Sequence, residues 1–273
     1  GYHLTRADGV FEGLTAEALR SFQRDYGLVP DGICGPKTFR ALLQLGRRVV
    51  GGRPQLLRDM VAVADAGPSL LGKRIVLDAG HGGADRGIVV SDGTAEVAEA
   101  DLVWDVVSRL DGRLSAVGVQ TWLTRGRYHG ATEAERAHRA NDVAADLVLS
   151  VHMDGFSSPK ANGIAAYYYG AGESSSTIGE RLADLAQREL VARTGMRNNR
   201  IHGKTWELLR LTRMPAVRVE SGYLTSPRDR ALLVQPRFRD VIAEGLLVAV
   251  QRLYLPPSED VSTGVMKIPA GVH

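Results

Sequence analysis

Cysteine and long apolar runs are scarce in this sequence of 273 residues. Cys34 is the only cysteine, so an internal disulfide is excluded and the redox compartment is left undetermined. No run of about 20 apolar residues occurs, which excludes a transmembrane helix and therefore an integral membrane segment. The 34 basic and 31 acidic residues form no long runs of one sign, which argues against a dedicated nucleic-acid-binding protein.

The sequence nevertheless has enough apolar residues, 44% of the total, to build a substantial core. Its length accommodates one full α/β domain together with a small second module. The formal charge of +3 and the pI of about 9.1 give a mild basic bias. Such a bias suits an anionic polymer or surface, but it is also common in proteins that bind neither.

The stretch RIVLDAGHGGADRG at Arg74–Gly87 is the pattern around which the larger part of the chain is organised. It contains an apolar run, IVLDA, interrupted only by Asp78, which predicts a buried strand that ends at Gly80. His81 follows directly, at the carboxyl end of this strand. Open α/β sheets carry their chemistry at the carboxyl ends of their strands, so His81 is a candidate site residue.

Two later stretches repeat this arrangement. Asp146–His152 is an apolar run that ends in a histidine, and Ala216–Gly222 is a third run with Glu220 near its end. If the three runs form neighbouring parallel strands, two imidazoles and a carboxylate converge on one edge of the sheet. Two neutral histidines and a carboxylate, with a fourth position left to water, are typical of a catalytic zinc site. A single histidine at a strand end is more often a polar loop residue, so the hypothesis depends on the three together.

A predicted helix over Val97–Leu114 offers a further carboxylate. Apolar residues recur every four positions from Leu102, and Glu99 lies at the edge of that buried face. A carboxylate in such a place requires a partner, which makes Glu99 the candidate for the third metal ligand. Glu96 lies at the predicted helix start, where a solvated acid is favoured by the helix dipole, and it is the second choice.

The other histidines have simpler interpretations. His129 lies in a predicted turn and His138 on a helix among charged residues, so both are expected in solvent. His202 lies in a polar stretch, Asn198–Lys204, that is predicted to be a loop contacting substrate or capping a neighbouring element. The remaining predicted elements are strands at Val117–Thr124 and Gly163–Tyr169 and helices at Glu133–Ala145, Ser174–Ala192 and Arg237–Leu253.

Residues 1–46 show a separate pattern of two short amphipathic helices. The first is predicted over Thr15–Tyr26 and the second begins at Pro36. Two short helices cannot bury a core unaided, so we expect a third helix, and missing residues, upstream of Gly1. The buried face of the second helix is predicted to consist of Phe39, Leu42 and Leu43.

This region resembles the peptidoglycan-binding module of bacterial cell-wall hydrolases, whose pattern runs T-x-x-A-L-x-x-F-Q, then G-L, D-G, G-P-x-T and A-L. The resemblance implies a small all-α module, truncated at its first helix, that binds peptidoglycan. A small helical domain that makes protein contacts is the alternative. The matching residues are Thr15, Ala18, Leu19, Phe22, Gln23, Gly27, Leu28, Asp31, Gly32, Gly35, Pro36, Thr38, Ala41 and Leu42.

Composition divides the rest of the chain into three parts. Residues 47–72 contain paired glycines and a short amphipathic stretch at Leu56–Ala64, which predict a helical linker. The large domain is predicted over residues 73–257. The tail, residues 258–273, follows two prolines and has no apolar periodicity, so it is predicted to be mobile.

From Lys73 to Leu255 the chain resembles the zinc-dependent N-acetylmuramoyl-L-alanine amidases of the amidase-3 type. Together with its amino-terminal module, it is most like an actinobacterial group of these proteins. The N-R-G-V-K stretch of the family is altered here, at Asn199–Lys204. The family motifs occur in order: D-x-G-H-G-G at Asp78–Gly83, E-x-D-L at Glu99–Leu102, T-R at Thr124-Arg125, R-x-x-x-A-N at Arg136–Asn141, S-x-H-x-D at Ser150–Asp154 and P-A-V-x-V-E-x-G-[FY]-L at Pro215–Leu224.

The resemblance implies an α/β fold, with a mixed open sheet and helices on both of its faces. It also implies one Zn²⁺ per chain, held by His81, Glu99 and His152, with Glu220 as the catalytic carboxylate. The implied reaction is hydrolysis of the amide between the lactyl group of N-acetylmuramic acid and L-alanine, in peptidoglycan or muropeptides.

A regulator of cell-wall synthesis is the alternative function. Such a protein would keep the fold but bind a precursor or a regulatory protein partner, with little or no turnover. An export signal upstream would favour a hydrolase in the cell wall, whereas a cytosolic start would favour the regulator.

Overall fold

The three apolar runs lie side by side in the computed structural model of the chain. Their strands are parallel, and the register sets Asp78 opposite Ser150 and His152 opposite Glu220. The carboxyl ends of all three strands therefore share one edge of the sheet, which confirms the predicted arrangement. The strands are β1 (Arg74–Ala79), β5 (Leu147–Asp154) and β9 (Ala216–Tyr223).

The structure describes residues 11, 13–48, 69–91, 96–171, 174–255 and 260. The predicted linker helix at Leu56–Ala64, the helix expected before Gly1 and the predicted mobile tail apart from Asp260 lie outside these residues. The chain falls into two units that divide between Asp65 and Ala66. In the described part of the chain, no helix has the length and apolar character needed to cross a lipid bilayer.

Among the described residues, seven strands form one mixed sheet in the order β4-β1-β5-β9-β6-β7, with β8 also paired to β6. The strands from β4 to β9 in this order are parallel, whereas β6 is antiparallel to β9. A separate antiparallel hairpin consists of β2 and β3. These strands are β2 (Val89–Ser91), β3 (Glu96–Ala98), β4 (Gln120–Leu123), β6 (Ile164–Ala171), β7 (Ser174–Ser175) and β8 (Asn198–Lys204).

Helices cover both faces of the sheet, because its strands are apolar on both sides. On one face, α3 (Glu99–Ala116) and α5 (Thr177–Thr194) pack on the strands, and α8 (Pro236–Tyr254) packs on these two helices. On the other face, α4 (Glu133–Asp142) and α6 (Glu207–Leu211) lie over Val76 and Val148. The predicted fold class is therefore confirmed. A further short helix, α7 (Pro227–Leu233), follows β9.

The helix predicted to start at Val97 begins two residues later, at Glu99. The preceding strand β3 pairs with β2, so its backbone groups are used in a hairpin and cannot join a helical turn. Glu96 was predicted to lie at the start of the helix, but it lies in this hairpin. Its carboxylate is exposed and lies 2.8 Å from the guanidinium of Arg86.

The polar stretch Asn198–Lys204 is a strand, β8, and the prediction of a loop was wrong. It pairs in parallel with β6, at the side of β6 away from β9. Most of its side chains are exposed, so the strand carries no apolar run. Backbone pairing with β6 decides this structure, and residue pattern alone does not reveal it.

The smaller unit contains, within its described residues, two helices, α1 (Gly13–Asp25) and α2 (Pro36–Arg48). Both predicted helices are thus present. Gln23 on α1 is fully buried and joins the turn between them. Its amide nitrogen donates to Asp31 at 2.8 Å, and its amide oxygen accepts from the N–H of Gly32, also at 2.8 Å.

The predicted buried face of α2 was wrong for two of its residues. Phe39 is 55% exposed and Leu43 is 49% exposed. Thr38 is buried instead, because its hydroxyl oxygen accepts a hydrogen bond from the amide of Gln23 at 3.2 Å. A polar contact within the unit therefore decides which side of this helix faces inward.

Candidate metal centre

The carboxyl edge of the sheet brings His81, Glu99 and His152 together. His81 follows β1, Glu99 is the first residue of α3, and His152 lies in β5. Nε2 of His81 is 3.1 Å from Oε2 of Glu99, and Nδ1 of His152 is 3.1 Å from Oε1 of the same carboxylate. One potential ligand atom from each residue lies within 4.8 Å of the others. The three side chains are close enough to bind one metal ion.

The backbone around the cluster allows this close approach. His81 has a φ of 57°, a left-handed conformation that costs a residue other than glycine about 1–3 kcal/mol. At Gly80, a Cβ would lie 2.2 Å from the ring of His152. At Gly87, which has a φ of 64°, a Cβ would lie 2.6 Å from Oε2 of Glu99. Glycine is therefore required at both positions by the side chains of the cluster.

Glu99 is a buried anion with several hydrogen-bond donors around it. Its Oε1 accepts the N–H of Met153 at 3.0 Å, and its Oε2 accepts the N–H of Ile88 at 3.1 Å. Burial alone would raise the pKa of Glu99, but the hydrogen bonds with His152 and His81 hold this pKa well below its usual range. The carboxylate is thus ionised and available as a ligand.

His81 is oriented by a second carboxylate. Its Nδ1 lies 2.8 Å from Oδ2 of Asp85, which leaves Nε2 on the side of Glu99. The hydrogen bond with Glu99 raises the pKa of His81 against the effect of burial, and Asp85 acts in the same direction as Glu99. Histidines that bind metals commonly have a carboxylate on their second ring nitrogen. Two imidazoles, a buried carboxylate and this outer carboxylate fit a zinc ion.

Glu220 lies beside the cluster, on the neighbouring strand. It is opposite His152 in the register of β5 and β9 and is 4% exposed. Its Oε1 accepts a hydrogen bond from Nε of Arg218 at 2.9 Å and lies 2.8 Å from Nη2 of the same guanidinium. Burial raises the pKa of Glu220, although His152 and Arg218 act in the opposite direction. A buried carboxyl group with a raised pKa beside a cluster of this kind is suited to proton transfer.

Two buried arginines bind the backbone of the loop after β1. Arg136 donates to the carboxylate of Asp78 at 2.6 Å and to the carbonyls of Ala79 and His81 at 2.7 and 2.6 Å. Arg125 donates to the carbonyl of Ala79 at 2.8 Å and to that of the following residue at 2.9 Å. The position of His81 therefore depends on side chains from outside its own loop.

These arginines belong to motifs of the amidase resemblance, but the sequence alone assigned them no role. The available signal was Asp78, a carboxylate within an apolar strand, because a buried carboxylate needs a cationic partner. Burial works against the ionisation of Asp78, but the charge of Arg136 and a hydrogen bond from Ser150 lower its pKa. A search for that partner would have indicated a buried arginine.

The remaining candidates lie outside the cluster. Glu96 is held in the hairpin by Arg86, as described above. His129 and His138 are exposed, as predicted. Nε2 of His202 lies 2.8 Å from the carbonyl oxygen of Asn199, and its ring lies 5.5 Å from that of Tyr167.

Two family models match the chain. The N-acetylmuramoyl-L-alanine amidase model, Amidase_3, matches residues 75–252, and a model of peptidoglycan binding domains matches residues 1–42. Because the first match covers more than half of the sequence, the chain belongs to the N-acetylmuramoyl-L-alanine amidase family. Both resemblances inferred from the motifs are confirmed.

The chain is similar to a mycobacterial protein over almost all of its length. It is 50% identical over 265 residues to the N-acetylmuramoyl-L-alanine amidase CwlM of Mycobacterium tuberculosis. This match covers 97% of the chain but 65% of CwlM, so the chain spans just under two thirds of that relative. The likeness agrees with the actinobacterial group that the motifs indicated.

Solved structures share the fold of the larger unit. The crystal structure of an N-acetylmuramoyl-L-alanine amidase from Clostridium difficile 630 is 28% identical, with a TM-score of 0.60, over 66% of this chain and 95% of that chain. The amidase Ami1 from Mycobacterium smegmatis is 25% identical, with a TM-score of 0.59, over 68% of this chain and 98% of that chain. Nearly the whole of each solved chain is thus matched by about two thirds of this chain.

Proposed function

We propose that this chain is a zinc-dependent amidase that hydrolyses the amide between the lactyl group of N-acetylmuramic acid and L-alanine in peptidoglycan stem peptides. The observation that carries the proposal is the grouping of two imidazoles and a buried carboxylate within 4.8 Å, with Glu220 on the adjacent strand. Membership of the amidase family supports the same reaction.

Under this proposal, His81, Glu99 and His152 hold one Zn²⁺ per chain. When bound, the ion supplies Lewis-acid polarisation of the scissile carbonyl and activation of water. Asp85 keeps the ring of His81 turned toward Glu99, and Arg136 and Arg125 hold the loop that carries His81. These residues order the site before substrate enters.

Glu220 is the proposed acid and base of the reaction. Its carboxylate accepts a proton from the attacking water, and the resulting carboxylic acid returns that proton to the nitrogen of the leaving L-alanine. Burial favours the neutral form of Glu220, which helps it to hold the proton between the two steps. The amide bond is broken by addition of water and loss of the amine, and no covalent bond to the protein is required.

The two units have different proposed tasks. Residues 73–257 would carry out hydrolysis, and residues 1–46 would bind peptidoglycan. The match of residues 1–42 to peptidoglycan binding domains supports the second task. Both tasks place the protein at the cell wall, provided that an export signal precedes this sequence.

The proposal is tested with muropeptides that contain an intact lactyl–alanine amide. The zinc-loaded chain should release free stem peptide, identified by mass spectrometry. Glu220→Gln should keep its zinc but react roughly 10²–10⁴-fold more slowly, because the proton acceptor is lost. Glu96→Gln, which removes an exposed carboxylate, should react at the rate of the unaltered chain.

Two results would contradict the proposal. Equal rates for the unaltered chain and Glu220→Gln would exclude Glu220 as the acid and base. A zinc-loaded chain that releases no peptide would exclude the amidase itself. The regulator that binds a precursor or a protein partner would then be the better interpretation.

A further inference from the structure

Arg218 and Glu220 occupy alternate positions on β9, so their side chains lie on the same face of the sheet. Nε of Arg218 donates a hydrogen bond to Oε1 of Glu220 at 2.9 Å, and Nη2 lies 2.8 Å from the same oxygen as an ion pair. Hydrogen bonds between two charged groups are stronger than neutral ones, and the planar guanidinium fixes their direction. One oxygen of the carboxylate is therefore held firmly.

The second oxygen of the carboxylate is left available. Oε2 of Glu220 is buried, and no hydrogen-bond donor among the described residues contacts it. The residue is opposite His152, at the edge where the metal candidates meet. The two oxygens of one carboxylate thus have different surroundings, which allows a division of roles between them.

Arg218 is itself held from two sides. Its Nη1 lies 3.3 Å from Oε1 of Glu133, at the start of α4, and its guanidinium carbon lies 4.6 Å from the centre of the Trp206 ring. The Trp206 ring packs 4.6 Å from that of Tyr167, a residue opposite Arg218 on β6. The guanidinium of Arg218 is therefore held by the Trp206 ring and the Glu133 carboxylate, and 19% of its side chain is exposed.

Glu133 and Trp206 also connect two helices, α4 and α6, that lie on the same face of the sheet. Oε2 of Glu133 accepts the N–H of Leu208 at 3.1 Å, which ties the start of α4 to α6. Trp206 immediately precedes α6. A chain of contacts thus runs from these two helix starts through Arg218 to Glu220. None of these contacts is part of the metal cluster.

We propose that Arg218 is a positioning residue that holds Oε1 of Glu220 and so presents Oε2 to the reacting water, with Trp206 and Glu133 holding Arg218 in place. The inference rests on the proposed function, because it assigns a task to the carboxylate that performs proton transfer there. The family motif quoted above leaves the position of Arg218 open.

The magnitude follows from the geometry of proton transfer. A reacting group misplaced by about 1 Å can slow a reaction roughly 10²-fold. Lysine at position 218 would keep the positive charge but has no planar guanidinium whose Nε and Nη2 can both contact Oε1 in a fixed direction. The expected loss is therefore in kcat, whereas KM and zinc content depend on other residues.

The experiment compares Arg218→Lys with Arg210→Lys, an exposed arginine on α6 that serves as the matched control. Arg218→Lys should lower kcat roughly 10–10²-fold with little change in KM and an unchanged zinc content. Trp206→Phe, which keeps a ring beside the guanidinium, should lose less than Arg218→Lys. A wild-type kcat in Arg218→Lys, or a loss confined to KM or zinc, would overturn the inference.

A second measurement does not depend on turnover. Urea unfolding of Arg218→Leu, Glu220→Gln and the double variant tests whether the two side chains act together, since the effects of coupled residues are not additive. Additive effects would overturn the inference even if the chain is an active amidase. Non-additive effects in a chain that releases no peptide would contradict the proposed function but leave the restraint on Glu220 in place.

Discussion

Two groups of arginine–carboxylate pairs in the larger unit differ in burial. At the sheet edge, the side chains of Arg136 and Asp78 are 5% and 1% exposed and lie 2.6 Å apart. Between the outer helices α3 and α8, Arg109 and Arg113 both pair with Asp240, whose side chain is 42% exposed. The first pair also holds the loop that carries His81, whereas the second joins two helix surfaces.

The difference in burial indicates where the loss of one charged partner should reduce stability most. A buried ion pair that loses one partner leaves an unpaired charge in a medium of low dielectric constant, which is strongly unfavourable. An exposed pair that loses one partner returns the other to water at little cost. Removal of one partner from an arginine–carboxylate pair should therefore cost much more stability at the candidate metal centre than between the helices.

The largest expected effect concerns the metal at the sheet edge. His81→Ala and His152→Ala should each lose zinc from a starting content of one ion per chain, because two ligands are too few to hold it firmly. Elemental analysis by mass spectrometry after dialysis measures this content. His138→Ala removes an exposed histidine and should keep full occupancy.

Retention of full zinc content in either variant would remove that histidine from the ligand set.

Zinc content also distinguishes between the two acidic candidates, Glu99 and Glu96. Glu99→Ala should lose zinc, whereas Glu96→Ala should keep it, because the carboxylate of Glu96 is paired with Arg86 in the hairpin. Loss of zinc in Glu96→Ala but not in Glu99→Ala would show that Glu96 is the metal ligand and Glu99 is not.

The next effect tests the buried pair directly. Arg136→Ala should lower the free energy of unfolding by about 3–5 kcal/mol, because Asp78 is left as an unpaired buried charge. Arg113→Ala should cost about 0–1 kcal/mol, since its partner is well exposed. Urea denaturation followed by circular dichroism measures both. Equal losses of unfolding free energy in the two variants would mean that burial does not decide how strongly each pair stabilises the fold.

The smallest effect concerns pH and the exposed pair. Burial alone would raise the pKa of Asp240, but hydrogen bonds from Arg113 and Arg109 lower it below its ordinary value of 3.8. A lowered folded pKa gives stability that is present above pH 3.8 and is lost as pH falls through the folded pKa. At 42% exposure, solvent screening should limit this contribution to about 1 kcal/mol or less.

Asp240→Asn should accordingly be slightly less stable than the unaltered chain at neutral pH. The difference should shrink below pH 3.8 and also in about 1 M salt, which screens exposed charges. Thermal unfolding across pH and salt concentration measures it. A difference that stays constant down to the most acidic conditions would show that Asp240 acts through packing and not through its charge.

Much of the site was predictable because its parts are local in the sequence. Apolar runs followed by His81 and His152 indicated strand ends, and strand ends of a parallel sheet share an edge. Glu99 was predicted from its position on the buried side of a helix. The start of that helix was wrong by two residues, because pairing between β2 and β3 depends on a partner strand that residue pattern does not reveal.

Other features depend on contacts between distant parts of the chain. The strand β8 has no apolar run and is a strand because β6 lies beside it. Phe39 was expected inside and lies outside, since Gln23 binds the neighbouring Thr38. The partners of Arg218 come from α4, from the residue before α6 and from β6. No spacing in the sequence brings these groups together.

The sequence alone predicts which residues are candidates for the site and which strands are buried, because side-chain type and period-two or period-four patterns are local properties. It also determined the family, through motifs that occur in order along the chain. The folded chain is needed to identify the partners of the buried charges, which are Arg136 for Asp78 and Arg218 for Glu220. A buried charge requires a partner, but the partner may come from anywhere in the chain, so its identity is decided when the elements pack.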